Sequence, residues 1–470
     1  MSKAIFRFTC YIIICTGIFS SCKKDSFITT GDANLVLSSD SIKFDTVFTT
    51  AGSVTRSFKI FNDNNQKLLL SKIKLMGGSS SAFHININGQ STPEANDIEV
   101  AANDSIYVFV SLTVDPTSGN LPFIISDSIL INYNGNNRYV QLQAYGQNAH
   151  FIRNGLITGN VTWTATLPWV ILGSLRVDTT ASLTIEAGAR IYLHADAPLI
   201  VDGTLIIQGE KNNEVQFRGD RLDAEYRDLP ASWPGIYFRN SSKDNTIRFA
   251  ILKNANQALV VEGPSVNSNP KLTLQQCVID NAFEAGIICV NSSLDASNTL
   301  VSNCGNNIYI EGGGNYQFTH CTVAAYSNSY FLHTNPVLAA SNYRTDNGGI
   351  TTADMSAIFR NCIFWGDNGS VDDEIFIDKE GANPFSVSFE NCLIKLVNDP
   401  ADAILTSVIR NEDPLFDSID ITHKYYDFRT SKNPLAPGVD QGVLTSLPKD
   451  LDDQPRNAGL LPDMGSYEKQ

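Results

Sequence analysis

"GSLRVDTTASLTIEAGARIYLHADAPLIVDGTLIIQG", residues 173–209, is built on couples of apolar residues two positions apart: Leu175/Val177, Leu183/Ile185, Ile191/Leu193, Leu199/Val201 and Leu205/Ile207. A spacing of two puts both members of a couple on the same face of a strand. Successive couples begin 8, 8, 8 and 6 residues apart, with Gly, Asp or Ala between them. No apolar period of 3.6 is sustained, so an amphipathic helix is excluded. Strands this short and this close, with no helices between them, predict a solenoid whose coil holds three strands wound around one dry axis. The prediction requires Leu183, Ile185, Leu199 and Val201 to point inward.

The texture before residue 150 differs. "SIKFDTVFTT", "VTRSFKIFN", "KLLLSKIKLMG", "AFHININGQ", "DIEVAANDSIYVFVSLTVD", "SDSILINYN" and "RYVQLQAYGQ" alternate apolar and polar residues and are separated by turn clusters such as "NDNN" and "DPTSGN". About seven antiparallel strands over 33–147 fit a β-sandwich. No Cys…Trp…Cys core is present, and no pocket-forming polar pattern is evident, so the expected role is a spacer. The whole chain is therefore read as all-β. Its net charge of −15 and the lack of a long basic run exclude nucleic acid as a partner.

At the N-terminus, Lys3 and Arg7 precede a mostly apolar stretch from Phe8 to Phe19, which at 12 residues is too short to span a bilayer. Small residues Ser20 and Ser21 then precede Cys22, and polar residues 22–32 read as a flexible tether. Six further cysteines, at 277, 289, 304, 321, 362 and 392, recur in frames such as "LQQCVI", "FTHCTV", "FRNCIF" and "FENCLI". A repeated cysteine in a repeated frame suggests a stack of small buried side chains, with free thiols and disulfides both left open. Asn303, Asn361 and Asn391, each just before a cysteine, are expected in one turn stack with amides laddered between coils.

Four resemblances emerge from these residues. The segment 1–22 resembles a bacterial lipoprotein signal, with residues 1–21 removed and Cys22 as the lipid-accepting residue. "NVTWTATLPWVILGSLRVDTTASLTIEAGARIYL", followed by "LIVDGTLIIQGEKNNEVQFRGD" and "SWPGIYF", resembles right-handed parallel β-helix proteins of bacterial surfaces, over roughly 150–400. The N-terminal sandwich resembles the immunoglobulin-like modules that precede larger domains in such proteins. The closing residues Asp463, Gly465, Tyr467 and Glu468 resemble the Asp-x-Gly-x-Tyr-Glu ending of exported, Bacteroidetes-type β-helix proteins. Together the resemblances imply a lipoprotein of the outer membrane or cell envelope, held to the membrane by its lipid. They also imply a right-handed parallel β-helix of roughly ten coils over 150–440 and a capping segment at 441–470.

The fold hosts polysaccharide lyases and hydrolases, so those chemistries must be sought on this chain. Asp280, Glu284 and Asp295 offer carboxylates and Arg344 and Lys243 offer bases, but spacing does not place them on one face. Asp372, Asp373 and Glu374 are consecutive and read as a solvated turn; Asp450, Asp452 and Asp453 read as a polar cap loop, with calcium the only cofactor considered and no other metal expected. His194, His320, His333 and His423 are isolated and read as structural. Insertions at 218–232 and 324–355 break the coil rhythm and are where a ligand is expected. Trp233, Tyr330, Tyr343, Arg344 and Trp365 form the expected ligand face. The leading expectation is a non-catalytic surface module binding a polysaccharide or a surface-protein partner. The alternatives are a pectate-lyase-like lyase or glycoside hydrolase, and an adhesin or structural protein.

Overall fold

In the computed structural model, residues 26–49, 52–115, 123–346, 348–367, 369–430, 435–456 and 458–469 are described. Cys22 and the segment 1–21 lie outside them. The chain forms two compact units, one through Asn148 and one from Ala149. Among the described residues the regular structure is strand, apart from one short 3-10 turn at Gly78–Ser80, and no helix is long and apolar enough to cross a membrane.

The first unit holds a six-stranded and a five-stranded sheet. Alternate residues of both, among them Phe58, Ile60, Leu70, Ile73, Val108, Val110, Ile129 and Ile131, fill one shared core. Two expectations change here. The strands are not all antiparallel, because Ser41–Phe48 runs parallel to Asn136–Gln147. Nor do residues 22–32 end as a free tether: Phe27–Ile28 pairs in parallel with Lys67 and Leu68, and Asn134 Nδ2 donates to Ile28 O and Thr30 O at 3.0 Å each. An unpaired sheet edge offers free backbone groups, and a two-residue strand suffices to use them.

The second unit is built on one 26-stranded sheet in which strands pair in parallel, commonly with the third strand after them, or with the second where a long strand such as Ala285–Ser297 serves two rungs. That pairing rule is a solenoid with three strands per coil. One inward column reads Trp163, Ile185, Ile207, Ile247, Leu274, Ala296, Phe318, Phe359, Phe389 and Leu405, one residue from each of ten coils. Leu183, Ile185, Leu199 and Val201 are fully buried, as the couples require. Near the C-terminal end the column becomes an aromatic stack, with ring centroids of Phe318 and Phe359 5.2 Å apart and of Phe359 and Phe389 4.7 Å apart. The last strand of this sheet is Ile409–Arg410, so the solenoid ends well before residue 440. The segment 324–355 is not one insertion. Its strand Leu338–Ser341 is a rung of the solenoid, and the hairpin Tyr343–Asp346/Gly349–Thr352 projects from it.

The six cysteines are free and buried, but they do not form one stack. Backbone register aligns Ala250, Cys277, Thr299, Cys321, Cys362 and Cys392 in one column, whereas Cys289 aligns with Val261 and Ile310 on another strand face and Cys304 follows a different turn. The asparagine expectation divides in the same way. Just before the cysteine column stand Phe249, Gln276, Asn298, His320, Asn361, Asn391 and Ser407, all with φ between 44° and 55°. Asn303 belongs instead to a second left-handed column with Asn254 and Asn281. Asn is the side chain that enters this backbone region most readily.

The C-terminal segment does not cap the end of the solenoid. It lies as a strap along the flank, docked on the first left-handed column. Gln276 Nε2 donates to Asp450 O (2.9 Å), Asn298 Nδ2 to Lys449 O (2.8 Å) and Asn391 Nδ2 to Gln441 O (3.0 Å), while Asn361 exchanges two bonds with Val443 (2.8 and 2.9 Å). With the hairpin Phe416–Asp420/Tyr425–Thr430 it also covers an outer face of the solenoid, burying Leu300, Ile363, Trp365 and Leu393 against Phe428, Leu451 and Met464. The reason is chemical. The column presents a row of amide side chains one coil apart, which can hold an irregular backbone that makes no ladder of its own.

Each residue of the closing motif serves this strap. Asp463 accepts from the backbone of Asp440 and of Lys469, both at 2.7 Å. Gly465 has φ +92°, and a Cβ there would stand 2.7 Å from Thr322 Oγ1 and 2.8 Å from Ile363 Cδ1. Tyr467 lies under the Arg429 guanidinium, 4.8 Å from its ring centroid. Glu468 meets Arg456, which also donates to Asn298 Oδ1 (3.0 and 2.7 Å), Gly465 O and Ser466 O (3.0 Å each). The acidic loop is likewise engaged: Asp450 accepts from the backbone of Gln454 and Glu468, Asp452 pairs with Lys211 and Arg429, and Asp453 pairs with Lys449.

Candidate functional site

One extended concavity follows from the outward residues of one solenoid face. Inward residues there, such as Leu294, Tyr316, Ala357 and Val387, are buried. Alternation then turns Ser293, Asn315, Ser356 and Ser386 outward, and register aligns them one coil apart over four coils. These short side chains leave room, and the Pro264–Pro270 segment raises one rim. The result is a groove of about 860 Å³ lined also by Asp295, Gln317, Asn267, Asn269 and Asp354, with apolar surface from Pro264, Pro384, Phe385 and Met355. Such a lining offers closely spaced hydrogen-bond donors and acceptors with flat apolar patches beside them.

Two groups in the groove stand out electrostatically. Asp295 is half-buried, burial pushes its carboxyl above the usual range, and no residue among those described donates to it or pairs with it. Ser292 is 2% exposed, and its Oγ has no partner although its backbone N–H donates to the Tyr316 hydroxyl at 3.0 Å. Buried polar groups without partners are rare in folded proteins, but the Ser292 Oγ leaves its strand on the inward side with Leu294 and is closed to the groove, which leaves Asp295 as the group a ligand can reach. Asp354, by contrast, accepts from Asn383 Nδ2 at 3.0 Å. Asp295 and Asp354 stand four positions apart along the strand direction and two coils apart across it. At ~3.3 Å per residue and ~4.8 Å per coil, their Cα atoms are roughly 16 Å apart.

Two smaller hollows adjoin the groove. One, lined by Asn240, Glu262, Val290 and Arg344, shares Pro264, Ser265 and Asn291 with it; the next, lined by Tyr309, Glu311, Tyr343 and Phe376, shares Arg344. Two of the residues expected on a ligand face, Tyr343 and Arg344, line the second of these hollows. Tyr343 donates to Asp378 Oδ2 at 2.6 Å, which pushes its hydroxyl up to about 12. Arg344 lies 3.2 Å from Asp346 and 3.6 Å from Glu311. Beneath this corner Lys271 is fully buried, its ammonium held by the carbonyls of Arg239, Asn240 and Glu262, and burial lowers its pKa to about 8.

The other expected residues lie elsewhere. Tyr330 lines a separate pocket of about 420 Å³ with Asp228, Lys253, Asp280, Asn328 and His423, between the 218–232 loop and the 422–426 turn, and Lys424 stands 3.4 Å from its ring centroid. Trp233 is fully buried in the solenoid core, its Nε1 donating to Lys253 O at 2.8 Å. Trp365 points outward from its strand but lies beneath the C-terminal hairpin and strap, 9% exposed. Neither tryptophan can form a ligand face. Asp280, Asp295 and Arg344, weighed together as a lyase site, fall in different concavities; Asp280 pairs with Lys253 at 3.1 Å. The expected solvated turn at 372–374 is corrected too, because Glu374 is fully buried against His333 Nε2 at 2.9 Å. Among the described residues no group of three or more His, Cys, Asp or Glu is placed to hold a metal ion.

The serine and asparagine column went unnoticed in the sequence. Ser293, Asn315, Ser356 and Ser386 are separated by 22, 41 and 30 residues, so no fixed interval marks them. Only a known coil register aligns them.

No protein-family model matches the chain, and no curated protein matches it. Among solved structures, a thermostable α-1,3-glucanase of glycoside hydrolase family 87 from Streptomyces thermodiastaticus is 9% identical, over 76% of this chain and 88% of that one, at a TM-score of 0.22. The catalytic domain of a family 87 α-1,3-glucanase in complex with tetrasaccharides is 11% identical over 75% and 87%, at 0.16. A family 123 glycoside hydrolase from Clostridium perfringens is 8% identical over 26% and 30%, at 0.19, so this chain spans less than a third of it. Likeness at these TM-scores carries no argument about what this chain does.

Proposed function

We propose that this protein is a lipid-anchored envelope protein whose solenoid holds a glycan in the groove without cleaving it. The observation that carries the reading is the four-coil column Ser293, Asn315, Ser356 and Ser386, flanked by the unpartnered Asp295 carboxylate. A polymer rich in hydroxyls can satisfy such a row of short polar side chains repeatedly, with its apolar ring faces against Pro264 and Phe385. The non-catalytic part rests on separation. Carboxylate pairs in glycosidases stand ~5–9.5 Å apart, whereas Asp295 and Asp354 start from Cα atoms roughly 16 Å apart. Winding of the solenoid is assigned as right-handed, since parallel crossover connections are right-handed in about 98% of cases. The N-terminal sandwich is assigned as an immunoglobulin-like spacer, and Cys22 as the lipidated residue at the outer membrane.

The groove is tested with Ser356→Lys, which projects a long cationic chain from an exposed position. Retention of glycans that bind the wild type should fall about tenfold or more, a change of ~1.4 kcal/mol per tenfold, with the melting temperature unchanged. Release of reducing or unsaturated ends from any polymer by the wild type would overturn the non-catalytic reading. Cys22→Ala should move the protein from the membrane fraction to the soluble fraction and abolish incorporation of labelled palmitate. Label persisting in that variant would refute the anchor.

A further inference from the structure

Resting on the glycan reading of the same groove, we propose that Asp295 is its specificity-determining residue, binding a pair of adjacent hydroxyls on an uncharged sugar and setting the groove against uronate polymers. Asp295 projects from the strand Ala285–Ser297, and its register neighbours on either side are the uncharged Thr273 and Gln317. A carboxylate has two acceptor oxygens and no donor. Half-buried and unpartnered, this one has exchanged water for nothing within the chain, at a free-energy cost that a ligand donating two hydroxyl hydrogens would offset.

Charge then decides the class of sugar. Carboxylates at Asp295 and Asp354 line the groove, and Glu262 and Glu311 line the adjoining hollows. Among the described lining residues the only cation is Arg344, already beside Asp346 and Glu311. A uronate polymer would bring a carboxylate with every residue into this fixed negative field, and the chain as a whole carries −15. A neutral polymer brings hydroxyls and no such repulsion.

The test uses the full chain and its variants in affinity electrophoresis against soluble neutral α- and β-glucans, sodium polygalacturonate and chitosan. The wild type should be retarded by a neutral polymer and not by polygalacturonate. Asp295→Ala should weaken neutral binding about tenfold or more with an unchanged melting temperature, and Asp295→Lys should gain retention by polygalacturonate. Equal wild-type retention by polygalacturonate and neutral polymer would overturn the inference while leaving the groove as a glycan site. So would Asp295→Ala binding the neutral polymer as tightly as the wild type. Preferential retention by chitosan, lost in Asp295→Ala, would replace the hydroxyl pair with an ammonium group and overturn it too. If no polymer retards the wild type, the glycan reading itself fails and the inference falls with it.

Discussion

Replacing Arg456 with alanine is expected to lower the unfolding free energy of the solenoid by about 3–5 kcal/mol, the cost of removing one partner from a buried ion pair. Arg456 is 3% exposed and joins the strap to the solenoid in one side chain. It binds Asn298 on the left-handed column, the carbonyls of Gly465 and Ser466, and Glu468 at 3.4 Å. The alanine variant would leave those acceptors unpaired and the Glu468 carboxylate without its counter-charge. Lysine should not rescue, because one ammonium cannot reach acceptors spread around a planar fork. Denaturant titration at pH 8 with tryptophan emission reads the change, and limited proteolysis should cut first within the C-terminal segment. A loss under about 1 kcal/mol would show that the strap is held mainly by the amide column and not by this guanidinium.

The second large effect is an opposed pair of pH responses at the same junction. Burial pushes Glu468 up from 4.5 to about 7, and burial together with the Arg456 charge lowers His320 from 6.5 to about 2. The neutral His320 ring donates from Nδ1 to Asp463 O (3.0 Å) and accepts at Nε2 from Asn361 Nδ2 (2.9 Å); a second ring proton would face that amide donor. The two signs are opposite. Glu468, with its pKa raised on folding, contributes stability that is full below about pH 4.5 and lost as pH rises toward about 7, roughly 3 kcal/mol by linkage. His320, with its pKa lowered, contributes stability that is full above about pH 6.5 and lost as pH falls below it. Between pH 4.5 and 6.5 the slopes cancel in the wild type.

Two substitutions separate them. Relative to the wild type, His320→Asn should gain stability as pH falls from 6.5 to 4.5, because only the Glu468 slope remains. Glu468→Gln should lose stability over the same interval. Asparagine already occupies the equivalent left-handed position at 298, 361 and 391, so the backbone accepts it at 320. Asp450 and Asp463, whose carboxyls burial also raises, are common to all three proteins and leave the differences unaffected. Melting temperatures across pH 4.5–8 measure them, and parallel profiles for wild type and both variants would exclude titration at this junction.

The couples from Leu175 to Ile207 determined the solenoid by themselves, because a spacing of two on strands this short permits only one buried side and no helix. The same logic gave the sandwich its alternating strands and the six cysteines their burial. It could not place the cysteines in one stack or two, since coil lengths differ and register is set by pairing, not by interval. Of the residues expected on a ligand face, Tyr343 and Arg344 are the two that a projecting hairpin carries to a hollow beside the groove. Trp233 and Trp365 misled for opposite reasons: one points into the core, and the other points outward beneath a segment more than fifty residues later in the chain. Alternation tells which way a side chain leaves its strand, but not what later comes to lie over it. Whether the Asp-x-Gly-x-Tyr-Glu ending would close the solenoid's end or bind its flank was decided by tertiary structure alone. The flank offered a row of amide side chains able to satisfy a backbone that forms no sheet, and that row exists only once the coils are stacked.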